Sequence, residues 1–324
     1  MAMTWLITGA QGFIGRHVVE RLGERPLSLL VRRAGGDARE VIGDLRDADS
    51  LRRACAGIDT VIHCAGYAHA FHDVDARQAQ QHRAVNFEGT LALGRAAAAA
   101  GVRRFVHLSS VKAMGEPGGQ CVDESWPAPP ASDYGRAKRD AEDALSTIGA
   151  EQGMAVVQLR LAMVYGPGGR GNLERMIGLV RRGVFPPLPE TGNVRSLVYV
   201  ADVVEAIVRA AEGRLAEGAY IVADPQTYSG RQLYDAIREA LGMPRRVWAV
   251  PYGLLRAGAR MGDMAGRWRG RPLPLNSEAL DKLLGSACYL PTRLIGQGWC
   301  AHTSLRDGLR SCVAARGGHR EAAS

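Results

Sequence analysis

The octapeptide TGAQGFIG, residues 8–15, limits what this chain can fold into more than any other stretch. It lies between the apolar run WLIT and the amphipathic run FIGRHVVERL, so strand, glycine turn and helix are expected in that order. A helix amino terminus carries partial positive charge and free N–H groups, and glycines there let a pyrophosphate approach closely. Gly9, Gly12, Phe13, Ile14 and Gly15 are therefore expected to hold a dinucleotide. A glycine turn that binds nothing has no need of this setting.

The runs TWLIT, LSLLV, EVI, DTVIHC, RFVHL and AVVQLR read as strands. Residues 15–22, 50–56, about 75–100 and 133–148 read as helices. This alternation predicts an α/β fold, a Rossmann-type doubly wound parallel sheet with right-handed crossovers. From Gly166 the loop-like GPGGRGN and VFPPLPETGN break the rhythm. We expect residues 1–165 to form the dinucleotide domain, which regains about 197–223. A smaller, mixed α/β substrate domain is expected over 166–196 and 224–316, with a disordered tail over 317–324.

Arg32 and Arg33 stand where NAD enzymes usually place a carboxylate for the ribose hydroxyls. Two guanidiniums suit a 2′-phosphate, which favours NADP over the alternative, NAD.

Six cysteines are scattered without a Cys-x-x-Cys pair, which predicts reduced thiols and neither a disulfide framework nor a zinc site. His63, His69 and His72 match no zinc spacing, so no metal is expected. The start MAMTWLITGA has no basic leader, and no apolar run reaches membrane-spanning length, so a cytoplasmic protein without a membrane span is expected.

From Arg245 onward there are 13 Lys+Arg against 5 Asp+Glu, and 28 against 28 before it, so the whole net charge of +8 lies in the last quarter. A solvated basic face is one explanation; attraction for a polyanionic ligand or an anionic membrane surface is the other. GLLRAGARMGDMAGRWRGR mixes Arg with Leu, Met and Trp as an interfacial helix does, although four interior glycines oppose helix formation. No nucleic-acid-binding module is present.

With its glycine turn the chain resembles, over nearly its full length, the short-chain dehydrogenase/reductase superfamily. The likeness is to the extended branch of nucleotide-sugar epimerases, dehydratases and reductases, of UDP-glucose 4-epimerase type. The resemblance implies that GDLRD supplies Asp44 and Leu45 at the adenine ring, that Cys64, Ala65 and Gly66 of VIHCAG line the coenzyme, and that Asn86 is the central-helix asparagine. It assigns Ser110 of HLSSVKAMGE, Tyr134 and Lys138 as catalytic, Tyr134 and Lys138 also touching coenzyme. Lys112, Asn172 of YGPGGRGN and Arg195 of RSLVYVAD are assigned to a nucleotide-diphosphate sugar, UDP-linked. Tyr134 and Lys138, four apart after PAPPAS, would share one helix face. There the ammonium, together with the cationic nicotinamide ring when oxidised, is expected to lower the phenol toward neutrality.

The resemblance further implies hydride transfer at C4 and a homodimer built on the helices of Asn86 and Tyr134. The arginines point to a 4-ketoreductase of a UDP-4-keto-6-deoxy-hexosamine in surface-polysaccharide biosynthesis. The alternative is a UDP-sugar 4-epimerase that retains NAD, and a more distant one is a non-enzymatic NADP-binding redox sensor. A dehydratase is disfavoured because Val111 and Lys112 replace the acidic pair of that branch.

Overall fold

The computed structural model describes residues 3–67, 76–169, 171–270, 273 and 276–321. The chain begins with β1 (Trp5–Thr8), α1 (Phe13–Leu22), β2 (Leu27–Val31), β3 (Glu40–Ile42), α2 (Ala48–Cys55) and β4 (Thr60–His63). Next come α3 (Ala76–His82) and α4 (Gly89–Ala99), joined by a π-helical turn at Arg83–Glu88, and then β5 (Arg104–Ser110). A short β6 (Cys121–Val122) precedes α5 (Asp133–Gln152) and β7 (Ala155–Leu161). Then follow β8 (Met163–Tyr165), α6 (Asn172–Arg181), β9 (Arg195–Tyr199), α7 (Val200–Ala211) and β10 (Gly218–Val222). The last part holds β11 (Thr227–Tyr228), α8 (Gly230–Ala240), α9 (Tyr252–Arg269), α10 (Ser277–Leu284), β12 (Cys288–Tyr289), α11 (Thr292–Gly296) and α12 (Leu305–Glu321).

Seven parallel strands form the main sheet in the order β10-β7-β5-β4-β1-β2-β3. Strands covered on both faces can be apolar throughout, and WLIT is buried at all four positions. Alternation sends Trp5 and Ile7 into the layer holding Val203 and Ile207 of α7, and Leu6 into the layer of Leu51, Leu93 and Leu145. The strand order reverses at β1, between β2 and β4, which opens a crevice at the carboxyl ends of β1 and β4.

Within the stretch 197–223, α7 covers the main sheet and β10 takes its edge, whereas β9 pairs with β8 and β11 in a smaller mixed sheet. That sheet packs with α6, α8, α9 and α12 through Tyr165, Leu173, Ile177, Tyr234, Leu255 and Leu309.

One expectation is corrected. Cys121 and Cys288 are joined by a disulfide, so the cysteines are not all thiols. The parallel β6–β12 register sets them opposite each other, Cα atoms 4.5 Å apart across 167 residues of sequence, and no local spacing could reveal that. Helix α12 extends to Glu321 and is anchored at its start by Leu305, Leu309 and Cys312 at helical spacing. Residues 322–324, like His69 and His72, lie outside the described residues. Among the described residues no helix is long and apolar enough to cross a membrane, and no group of three or more His, Cys, Asp or Glu could hold a metal ion.

Candidate active site

The glycine turn works because each glycine avoids a specific collision. Gly9 has φ +69°, and a Cβ there would lie 2.6 Å from the backbone nitrogen of Ala65. A Cβ on Gly15 would lie 2.1 Å from the Gly9 carbonyl oxygen. Gly12 caps α1 without a side-chain hydrogen bond, which leaves the first-turn N–H groups, including those at Phe13 and Ile14, for an anion. The turn after β1 and the Cys64–Gly66 turn after β4 thus face each other across the crevice, tied by the 3.3 Å bond from Ala65 N–H to the Thr8 hydroxyl.

Asn86 organises the floor. It is fully buried in the π-helical turn, accepts from Tyr67 N–H at 2.8 Å and donates to the Tyr67 carbonyl at 2.9 Å, so its amide holds the strand-end backbone. The helix expected over 75–100 is locally wound wider at this residue, a frequent device at functional sites. A Cβ on Gly66 would sit 3.2 Å from Asn86 Oδ1 and 3.6 Å from Lys138 Nζ, which places these three residues together.

Ser110 ends β5 and Tyr134 lies in the first turn of α5. Ser132 caps that helix, its hydroxyl accepting from Gly135 N–H at 3.1 Å. Gly135 lets the helix abut the turn Val111–Ala113: a Cβ there would meet the Lys112 carbonyl oxygen at 2.2 Å. The close approach brings the Ser110 hydroxyl near enough to the Tyr134 phenol to favour its ionised form. Lys138, one turn on and buried, donates from Nζ to the Leu108 carbonyl at 2.8 Å. Behind it, Arg160 of β7 forks onto Glu142 of α5, with Nη2 to Oε2 at 2.6 Å, both side chains buried, and locks α5 to the sheet.

Burial pushes the Tyr134 phenol above its ordinary value while the Ser110 hydroxyl pulls it down, and the net direction is up. Lys138 does not reverse this, because its ammonium is directed to Leu108 and is itself lowered by burial to about 8, against the opposing charge of Glu142. With its pKa raised, the Tyr134 phenol is protonated near neutral pH and able to give up a proton. Cys64 stays a thiol, pushed up by burial to about 12.

Arg32 and Arg33 are exposed just past β2. Asp44 is bound by Arg46, with Nε to Oδ1 at 3.0 Å, and lies near enough to Arg32 to feel its charge; its carboxyl falls to about 2, mainly through Arg46. Leu45 packs under Gly89.

On the substrate side, Lys112 is ion-paired with Glu116. Arg195 opens β9 and donates to the Gly285 carbonyl at 3.0 Å; burial lowers it, opposed by the nearby Glu116 and Tyr289. Asn172 is exposed at the first residue of α6.

Three residues of this region have no place in the sequence-based expectations. His82 lies edge-on to the Tyr134 ring at 5.4 Å and within 3.3 Å of Asn86, and the i, i+4 spacing from His82 to Asn86 is its signal. Glu116 stands at the same spacing from Lys112. Tyr289, buried with a hydroxyl that has no hydrogen-bond partner among the described residues, has no local signal at all.

The free amino terminus of α1, the Gly9 and Gly66 clearances and the Lys138 ammonium fit a nicotinamide dinucleotide lying from β1 across β4. The model of the NAD dependent epimerase/dehydratase family matches residues 5–223. The chain belongs to that family. Among its relatives, the UDP-glucose 4-epimerase of Vibrio cholerae is 31% identical over 265 residues, 78% of this chain and 79% of that one. A 4-hydroxy-2-methyl-3-oxo-4-farnesyl-3,4-dihydroquinoline-1-oxide ketoreductase of Stigmatella aurantiaca is 29% identical over 301 residues, covering 89% and 86%. The crystal structure of a Thermus thermophilus UDP-glucose 4-epimerase in complex with NAD superposes with a TM-score of 0.72 at 27% identity, covering 97% of this chain and 99% of that one.

Proposed function

We propose that this family member is an NADPH-dependent reductase acting at C4 of a 4-keto sugar carried on a nucleoside diphosphate, of the UDP-4-keto-6-deoxy-hexosamine class used in surface polysaccharides. The observation that carries the reading is the meeting of Ser110, a protonated Tyr134 and Lys138 beside the glycine turn. The bound coenzyme supplies the hydride. Ser110 orients the carbonyl oxygen, and Tyr134 gives that oxygen its proton as the alcohol forms. Lys138, between Leu108 and Gly66, holds the ribose. Arg32 and Arg33 suit a 2′-phosphate, which favours a coenzyme that exchanges each turnover. Arg195, Lys112 and Asn172 are proposed to receive the diphosphate and nucleoside. A homodimer is proposed on the outer faces of α4 and α5, where a depression of about 550 Å³ is lined by residues including Leu91, Ala98 and Ile148.

A second reading, a UDP-sugar 4-epimerase with retained NAD, is favoured by the Vibrio relative and the NAD-bound Thermus structure. It uses the same three side chains with proton transfer in both directions.

Releasing and identifying nucleotide from the purified protein separates the two. Exchangeable NADP(H), with NADPH oxidised in the presence of a UDP-4-keto sugar, is the expected result. Tightly held NAD and interconversion of UDP-glucose and UDP-galactose without added coenzyme would establish the epimerase instead.

A further inference from the structure

Helix α9 exposes the wrong residues for a helix whose only task is to pack. Its inner side is Leu255, Ala259 and Gly266, all buried. At 100° per residue, Leu254, Ala257, Met261, Met264, Ala265 and Trp268 fall within roughly 100° of arc on the opposite side. Leu254 is 66% exposed, Met261 69%, Met264 64% and Trp268 94%, so this second apolar stripe faces water. The loop leading into α9 adds Val247 and Trp248, 98% and 53% exposed.

The flanks of the stripe are basic. Arg260 and Arg267 lie along one edge and Arg269 along the other, all exposed, and Arg245 and Arg246 sit beside Val247. The acidic groups nearby are few: Asp263 accepts from the Ser277 hydroxyl and also feels Arg267, Asp281 pairs with Arg256, and Asp235 pairs with both Arg231 and Arg245, so Arg245 is partly neutralised while Arg246, Arg260 and Arg269 stay on the exposed surface. An apolar ridge between arginines is the pattern of a helix lying in a lipid headgroup layer. A second copy is a poorer occupant, because a two-fold contact would set arginine edge against arginine edge. A polyanion without apolar groups would leave Met261, Met264 and Trp268 in water.

We propose that the solvent-facing stripe of α9, with its arginine edges, docks the protein on the surface of a bilayer containing anionic lipids. The proposal is independent of the reaction assigned to the crevice. The test is co-sedimentation of the full chain with phosphatidylcholine vesicles, with and without phosphatidylglycerol. Three proteins are compared: the wild type, Met261→Ser/Trp268→Ser and Arg260→Glu/Arg267→Glu. Circular dichroism and dinucleotide binding verify that each variant is folded. The wild type is expected to bind the anionic vesicles and to release them in high salt. Each folded variant is expected to bind more than about tenfold more weakly. A wild type that ignores anionic vesicles, or folded variants that bind as well as it does, would overturn the proposal. So would light scattering that shows an oligomer dissolved by Met261→Ser/Trp268→Ser, since the stripe would then be covered by another copy.

Discussion

Tyr134 is raised by burial, which the Ser110 hydroxyl opposes, while Lys138 directs its charge to the Leu108 carbonyl. Replacing Tyr134 by Phe removes one hydroxyl and leaves the glycine turn untouched. Turnover is expected to fall by about 10²–10⁴ while dinucleotide affinity stays within about twofold, read by steady-state kinetics and coenzyme titration. Lys138 supplies a second prediction. Lowered to about 8, it carries its charge below that pH and loses it above. The kcat/KM profile is expected to descend on an alkaline limb near pH 8, and a profile flat to pH 10 would contradict an ammonium role. The pair itself is readable from YGRAK, but the direction of the phenol shift is not. Burial and the aim of Lys138 come from β5, a strand that meets α5 only once the sheet has formed.

At the scale of elements, α5 is the part on which the site depends. Its seat is fixed by Ser132 at the cap, Gly135 against the turn after β5, and Glu142 on Arg160 of β7. Gly135→Ala drives a methyl group into the Lys112 carbonyl and must part Ser110 from Tyr134. A loss of about 1–3 kcal/mol in denaturant unfolding is expected, with kcat reduced more than coenzyme affinity. Unchanged stability and rate would show that the helix and turn do not need this contact. The element pattern up to β7 is legible in the sequence because apolar period and glycine placement are local. The π-helical turn at Asn86 is not, since its cause is the pair of bonds between that amide and the Tyr67 backbone.

For the whole molecule, the Cys121–Cys288 bond matters most, because it ties the segment after β5 to the strand carrying Tyr289 across 167 residues of sequence. Reduction, or Cys288→Ser, is expected to lower unfolding stability by about 2–4 kcal/mol, seen as a lower Tm with dithiothreitol than without. An equal Tm in both conditions would mean the β6–β12 pairing holds these two segments together unaided. The localised charge of the last quarter is visible in composition, yet its meaning depends on which face of α9 the core takes.

The sequence by itself determined the parallel sheet and the glycine turn at its switch point, because these follow from short-range period and steric freedom, while Ser110, Tyr134 and Lys138 were legible only through the family resemblance of HLSSVKAMGE and YGRAK. Only the tertiary structure decided the disulfide, the Arg195–Glu116–Tyr289 grouping, the protonation of Tyr134 and the outward stripe of α9. Each of these arises where residues far apart in the chain meet, or where one side of a helix is taken out of water, and burial of that kind is a property of the packed molecule.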